Sequence, residues 1–131
     1  MKTIIISLLM TIAVTNLAIT SDWQFITSRK NSNGIEANYF IDFEESSNIN
    51  GVKGYRERII YTRGEYLEKI GIIEKYGYFD CSNTNYVEKK ISFQDVNGNF
   101  LKGYQYNDED YIWKPVTPGL KETMLRLVCN Y

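Results

Sequence analysis

The side chains that could do chemistry are few, and histidine is not among them. Without an imidazole, neither a Ser-His nor a Cys-His pair can be assembled to activate a nucleophile. The thiols are Cys81 and Cys129. In an exported chain an even cysteine count reads as a bridge, and two cysteines allow one connectivity. A cysteine pair with no histidine offers no metal site. Carboxylates remain: Asp108, Glu109 and Asp110 in one run, and Glu44 beside Glu45. Two carboxylates flanking a sugar bond can hydrolyse it. Adjacent acids in a polar run are ordinarily just solvated, so no catalytic residue is assigned, no cofactor is expected, and the chain is read as non-enzymatic.

Two further patterns invite a ligand. Asp95-Val96-Asn97-Gly98-Asn99 imitates the start of a calcium-binding EF-hand loop. The imitation fails at its sixth position, Phe100, where glycine is needed, and at its twelfth, Tyr106, where glutamate is needed. The segment is therefore read as a turn. Arg56, Arg58 and Arg63 interleave with Tyr55, Tyr61 and Tyr66, which superficially resembles a single-strand nucleic-acid platform. No strand-borne aromatic ribonucleoprotein motif accompanies it. Arg and Tyr are also the residues that protein interfaces favour, which makes Arg56 and Arg58 candidates for a protein-contact face, while tyrosine in strands is also ordinary β-propensity.

Positioning such residues requires strands. Asn33-Gly34, Asn50-Gly51 and Asn97-Gly98 predict hairpins of type I′, because both residues accept positive φ. Between them, apolar residues alternate with polar ones. Trp23 and Phe25 share one face, as do Tyr39, Ile41 and Phe43, and then Tyr55, Ile59 and Tyr61. Ile70, Ile72, Tyr76 and Tyr78 keep one parity. Val87, Ile91 and Phe93 are expected inward, with Glu88, Lys90, Ser92 and Gln94 toward water. After the third turn the chain returns through Phe100, Lys102, Tyr104 and Tyr106. Strand after strand joined by tight turns predicts an antiparallel meander of about six strands.

The period then changes. Thr117 can cap a helix with Pro118 in its first position. Leu120, Met124, Leu127 and Val128 make the apolar stripe. At about 100° per residue Cys129 falls on the far side from Leu120. A bridge to Cys81 then needs either a broad buried arc or an unwound last turn, and fraying is expected. The predicted class is α+β: a meander sheet with a C-terminal helix laid on it and tethered by the disulfide.

The first residues decide the compartment. Lys2 supplies a positive charge, the run from Ile4 to Val14 is apolar, and Asn16 to Ser21 are mostly small or polar. That order reads as a secretory signal, too short to span a bilayer comfortably, which takes about 20 apolar residues. Residues 1–20 are assigned to the signal, with cleavage between Ala18 and Ser21, and 21–131 to one domain. No cysteine lies in or just after the signal, so no lipid anchor is expected after cleavage. Removing Lys2 leaves 14 basic residues against 16 acidic, a net charge of −2. With that balance nucleic acid is a poor partner.

One ordered set of residues carries a resemblance. Asp22-Trp23, then Tyr39-Phe40-Ile41-Asp42, an acidic stretch with Asn50-Gly51-Val52 behind it, and Phe79-Asp80-Cys81 follow one another. Trp113-Lys114-Pro115-Val116-Thr117-Pro118-Gly119 and Val128-Cys129 complete the series. In that order and spacing the chain resembles the surface-adhesin protein E family of small exported bacterial proteins, over essentially all of residues 22–129. The resemblance implies a sheet with a helix tethered by a Cys81–Cys129 bridge, and Trp113 and Pro118-Gly119 positioning that helix. It also implies adhesion to host proteins, extracellular-matrix components included. Leu120 stands where Ser often follows Pro-Gly. The displayed adhesin carries a lipid anchor, and no adhesion residue is carried over to this chain.

The expectation is a periplasmic or secreted binding protein with a protein partner and an edge strand open to homodimer formation. Two alternatives are an inhibitor of an envelope-targeting enzyme such as lysozyme, acting through Asp108, Glu109 and Asp110, and a small-ligand carrier. Expression of the full chain in an exporting bacterium should yield a periplasmic or secreted product whose mass begins between residues 19 and 21. A product that retains Met1 and Lys2 would overturn the signal assignment.

Overall fold

A computed structural model describes residues 22–43, 50–65 and 69–130, with Asp108 described by its backbone alone. The signal segment, Glu44, Glu45 and Tyr66 lie outside the described residues. Six strands follow in chain order: β1 (Gln24–Lys30), β2 (Glu36–Phe43), β3 (Val52–Arg63), β4 (Ile72–Asp80), β5 (Asn85–Gln94) and β6 (Phe100–Gln105). Each pairs antiparallel with its predecessor, as the meander reading requires. A two-residue β7 (Lys114–Pro115) adds to the start of β5, and α1 (Leu120–Cys129) is the one α-helix among the described residues.

The turns divide into two kinds. At Asn50-Gly51 both residues have positive φ, 55° and 82°, as a type I′ turn demands. At the other two pairs only the glycine does, Gly34 at 80° and Gly98 at 86°. Here the expected type I′ turn is replaced by a type I turn followed by a left-handed glycine. Gly34 N–H donates to Asn31 O (3.2 Å) and Gly98 N–H to Asp95 O (3.0 Å). The cause lies one residue before the turn proper. Asn31 Oδ1 accepts from the Asn33 and Ile35 N–H groups, and Asp95 Oδ1 from those of Asn97 and Asn99. A side chain that gathers its own loop's donors selects the longer turn. The Asn99 and Asn97 N–H groups, with the Asn99 carboxamide, hold the Asp95 carboxyl below the usual carboxylate range. The resemblance to a calcium loop thus ends in a hydrogen-bonded turn.

A bulge in β5 sets which side chains face the helix. Tyr76 pairs with Lys90, but Gly77 pairs with Glu88, so Lys89 is the extra residue. Parity reverses across it. Val87 lies opposite Tyr78, while Ile91 lies opposite Lys75 on the other face. The expected grouping of Val87 with Ile91 and Phe93 is therefore corrected: Val87 is buried on the face away from the helix. Glu88, expected toward water, turns in on the helix side, where it meets Lys121. Gly77 allows the distortion, since a Cβ there would sit 2.1 Å from the Val87 carbonyl oxygen.

The helix covers one end of one sheet face. Met124, Leu125 and Val128 pack on Ile41, Tyr55 and Phe79, with Ile26, Phe43, Tyr86, Val116, Leu120 and Cys129 around them. Tyr55 and Phe79 stack with ring centroids 4.4 Å apart. Leu125 takes the buried place expected for Leu127, which stays exposed. The helix also starts later than Thr117. Val116 N–H still donates to Thr84 O (2.9 Å), so the chain is sheet-bound there, and Gly119, at φ 125°, becomes the cap. At the other end α1 persists through Cys129 and closes with Asn130 in the left-handed region, its N–H donating to Arg126 O. The expected fraying is corrected: the arc from Leu120 to Cys129 is simply broad. Cys81 and Cys129 are bridged, with Cα atoms 5.7 Å apart at a sequence separation of 48. A loop of that length gains about 4 kcal/mol in the chain-entropy picture.

The bulge makes a sharp prediction. Gly77→Ala should destabilise the domain by about 3 kcal/mol, read from urea unfolding. Gly54→Ala, whose added Cβ would meet Tyr78 at an ordinary 3.5 Å, should cost less than about 1 kcal/mol. Equal costs would show that the bulge does not demand glycine.

Candidate functional site

Three groups of side chains stand out, and each is built by strand alternation. The first lies under the helix. Glu57, between Tyr55 and Ile59 on β3, is 3% exposed. Lys121, the second residue of α1, reaches it at 3.4 Å and reaches Glu88 at 3.9 Å, while Lys75 lies 3.6 Å from Glu88. Two cations and two anions thus neutralise one another in a half-buried row. Burial pulls the Lys75 pKa down, but Glu57 and Glu88 outweigh it and push the pKa up. The Lys121 ammonium also sits over the rings of Tyr86 (4.7 Å) and Tyr55 (5.5 Å). Desolvating charges is costly unless each is paired, and here each is. The row fastens the first turn of α1 to the sheet. Its two carboxylates share the Lys121 ammonium. Tyr55 Oη is buried beside this row without a hydrogen-bond partner among the described residues.

The second group occupies the open face. The Arg56 and Arg58 guanidinium carbons lie 4.9 and 4.3 Å from the Trp23 ring centroid. Arg56 pairs with Asp42, its cross-strand neighbour on β2. Arg58 pairs with Glu74, its neighbour on β4, through Nε (2.8 Å) and Nη2 (2.6 Å). The arginine–tyrosine interleaving along the sequence therefore separates in space. Tyr55 and Tyr61 face the helix side, Arg56 and Arg58 the other, and Arg63 stands near the strand end, 3.8 Å from Glu36. Arg56 and Arg58 are already neutralised and stacked.

The third group is the β6 edge. Every residue of β6 is exposed. Seven of the nine exposed large apolar side chains among the described residues are Val96, Phe100, Leu101, Tyr104, Tyr106, Ile112 and Trp113, all between positions 96 and 113. No strand pairs with the outer edge of β6 among the described residues. The acidic run sits within the same segment. Asp108–Asp110 form a single 3-10 turn, closed by Asp110 N–H to Asn107 O (2.9 Å), with Glu109 and Asp110 exposed. Trp113, expected to position the helix, is 42% exposed, and Val116, three residues on, takes the core place. The signal in the sequence was the adjacent pair Phe100-Leu101. It puts apolar groups on both parities of one strand, which no single buried face can absorb.

Other ligand sites find less support. No group of three or more cysteine, aspartate and glutamate side chains gathers as metal ligands among the described residues. A depression of about 200 Å³ lined by Ser28, Lys30, Glu36 and Asn38 is open and polar, smaller than the about 300–1,000 Å³ of small-molecule pockets. No helix among the described residues is long and apolar enough to cross a membrane. Comparison with protein-family models, curated proteins and solved structures finds no match to this chain.

The unpartnered hydroxyl gives a test with a sign. Burial, then Glu88, Glu57 and Tyr86, push the Tyr55 pKa up. A group raised on folding contributes stability that is intact below its unfolded pKa, about 10 for tyrosine, and is lost as pH rises beyond it. Tyr55→Phe should therefore extend stability to higher pH. At neutral pH it should raise the unfolding free energy by about 1 kcal/mol, by removing an unsatisfied buried group. Denaturant unfolding at neutral and alkaline pH measures both, and a loss of stability at neutral pH would show that the hydroxyl has a partner.

Proposed function

We propose that this chain is an exported, non-enzymatic binding protein that takes a protein partner along the β6 edge and the 106–113 segment. The observation that carries the reading is the concentration of exposed apolar side chains between positions 96 and 113, on one unpaired edge strand and the segments flanking it. Large contiguous apolar surface on a small domain marks an interaction site. An open edge also offers a row of backbone donors and acceptors for an added strand. The rest of the sheet supports this choice, because Arg56 and Arg58 are engaged within the domain.

Export is supported by the signal-like first residues and by the disulfide, which oxidising compartments sustain. The resemblance to surface-adhesin protein E makes host extracellular-matrix proteins the first partners to test. The exposed 3-10 turn at Glu109 and Asp110 favours one alternative, inhibition of a basic envelope-targeting enzyme such as lysozyme, by charge complementarity.

The experiment begins with non-reducing fractionation of the producing cell. The mature domain is then immobilised and exposed to extracellular-matrix proteins and to lysozyme. Leu101→Lys combined with Tyr104→Lys should weaken binding at least about tenfold, about 1.4 kcal/mol, while Leu127→Lys on the helix leaves it unchanged. Binding indifferent to the edge variants would overturn the edge assignment. Lysozyme binding lost in Glu109→Gln with Asp110→Asn would favour the inhibitor. Recovery from the periplasm alone would remove host adhesion.

A further inference from the structure

The bulge that reverses β5 also redirects one lysine. Lys89 is the inserted residue, and its carbonyl accepts from Tyr106 N–H (2.9 Å), so its backbone is held at the end of β6. Its ammonium turns toward the open face, into a ring of phenols. It lies 5.0 Å from the Tyr78 ring centroid, 5.4 Å from that of Tyr111 and 5.9 Å from that of Tyr76. Tyr76 and Tyr78 stand two residues apart on β4, rings edge to face at 5.7 Å, with the Tyr76 hydroxyl donating to the Tyr78 hydroxyl (3.4 Å). The third phenol arrives from the segment after the acidic turn.

The charge balance here differs from that of its neighbours. Arg56 and Arg58, on the same face, each have a carboxylate. Lys75 and Lys121 share Glu57 and Glu88. Lys89 forms no ion pair among the described residues. Its ammonium lies against the Tyr111 and Tyr78 phenols, which favour its protonated form over the opposing effect of burial. An ammonium carries three N–H donors and a neutral phenol one O–H donor. The Tyr111 hydroxyl and the ammonium can therefore both donate to one oxygen group set between them, and hydrogen bonds to an ionised group are about twice as strong as neutral ones.

We propose that Lys89, with the hydroxyl of Tyr111, binds an oxyanion beside the Tyr78 ring: a carboxylate, sulfate or phosphate group carried by a ligand. The ring faces wall the site on several sides and hold the lysine stem in one place, so little freedom is lost on binding. Glu109 and Asp110, just before Tyr111, weaken the attraction and favour a group of low charge, with affinity on the order of millimolar for an isolated ion. The site does not depend on a strand partner at β6. It would serve equally a partner protein's acidic side chain or an esterified small molecule.

The test is a titration of the mature domain with sodium acetate, sodium sulfate or sodium phosphate, ionic strength being held constant with sodium chloride. The Lys89 ε-methylene and the tyrosine ring signals are followed by NMR. Saturable shifts at Lys89, Tyr78 and Tyr111 are expected. They should weaken at least about fivefold in Lys89→Met and in Tyr111→Phe, and be absent at Lys90 and Lys102. Saturation by acetate alone assigns the site to carboxylates, and saturation by sulfate or phosphate to ester-bearing ligands. Shifts that never saturate, that appear equally at Lys90 and Lys102, or that survive in Lys89→Met would overturn the proposal. Because the titration of the unaltered domain decides the first point, a misfolded variant cannot rescue or sink it.

Discussion

The close approach of Gly77 to the Val87 carbonyl fixes more of this domain than any other contact. A side chain at position 77 would have to occupy the space of a backbone oxygen. Because none is there, β5 can carry an extra residue, and one local shift has consequences on both faces. On one, Glu88 turns under the helix and completes a row of alternating charge with Lys75, Lys121 and Glu57. On the other, Val87 is buried and Lys89 is aimed among three tyrosines. A regular strand would place Glu88 and Lys90 on one side and leave Lys121 one carboxylate short.

The helix is held by three kinds of force at different points along it. Ionic contacts act at its first turn through Lys121, apolar packing acts through Met124, Leu125 and Val128, and a covalent tie acts at its last residue. Ten residues would be a marginal helix in isolation. Here the sheet supplies the surface and the bridge keeps the helix next to it. Arg126 and Glu122, a turn apart on the exposed side, add a weak pair that the fold does not need.

Much of this was legible in the sequence. Period-two alternation from Tyr39 to Phe43 and from Tyr55 to Tyr61 gave correct faces, because those strands are regular. The order of strands followed from short turns, and the bridge from two cysteines. The failures have local physical causes. Alternation is blind to a bulge, so Val87 and Glu88 were each placed on the wrong side. Asn-Gly specifies a turn without its type, because Asn31 and Asp95, just outside the pair, decide it through their side chains. The stripe of α1 was read from Leu127 when Leu125 lies toward the sheet, since a helix tethered at Cys129 rotates its buried arc toward the bridge. For the candidate sites, Arg56 and Arg58 were conspicuous in sequence yet prove to be paired. The Lys89 cluster draws on positions 76, 78, 89 and 111, which only the folded register brings together.

The strand order also bears on how the chain is assembled over time. Each strand pairs with the one made just before it, so the sheet can grow in step with emergence of the chain. Its apolar face, with Ile41, Tyr55 and Phe79, waits for residues 120–129. The element that shields the core and the second half of the covalent lock arrive together, after all six strands of the meander. Until then the nascent domain is a sheet with one sticky side and a lone thiol at Cys81, the kind of intermediate that aggregates or mispairs when left unattended. A chain built in this order depends on prompt completion, and on an oxidant that acts once its final helix has appeared.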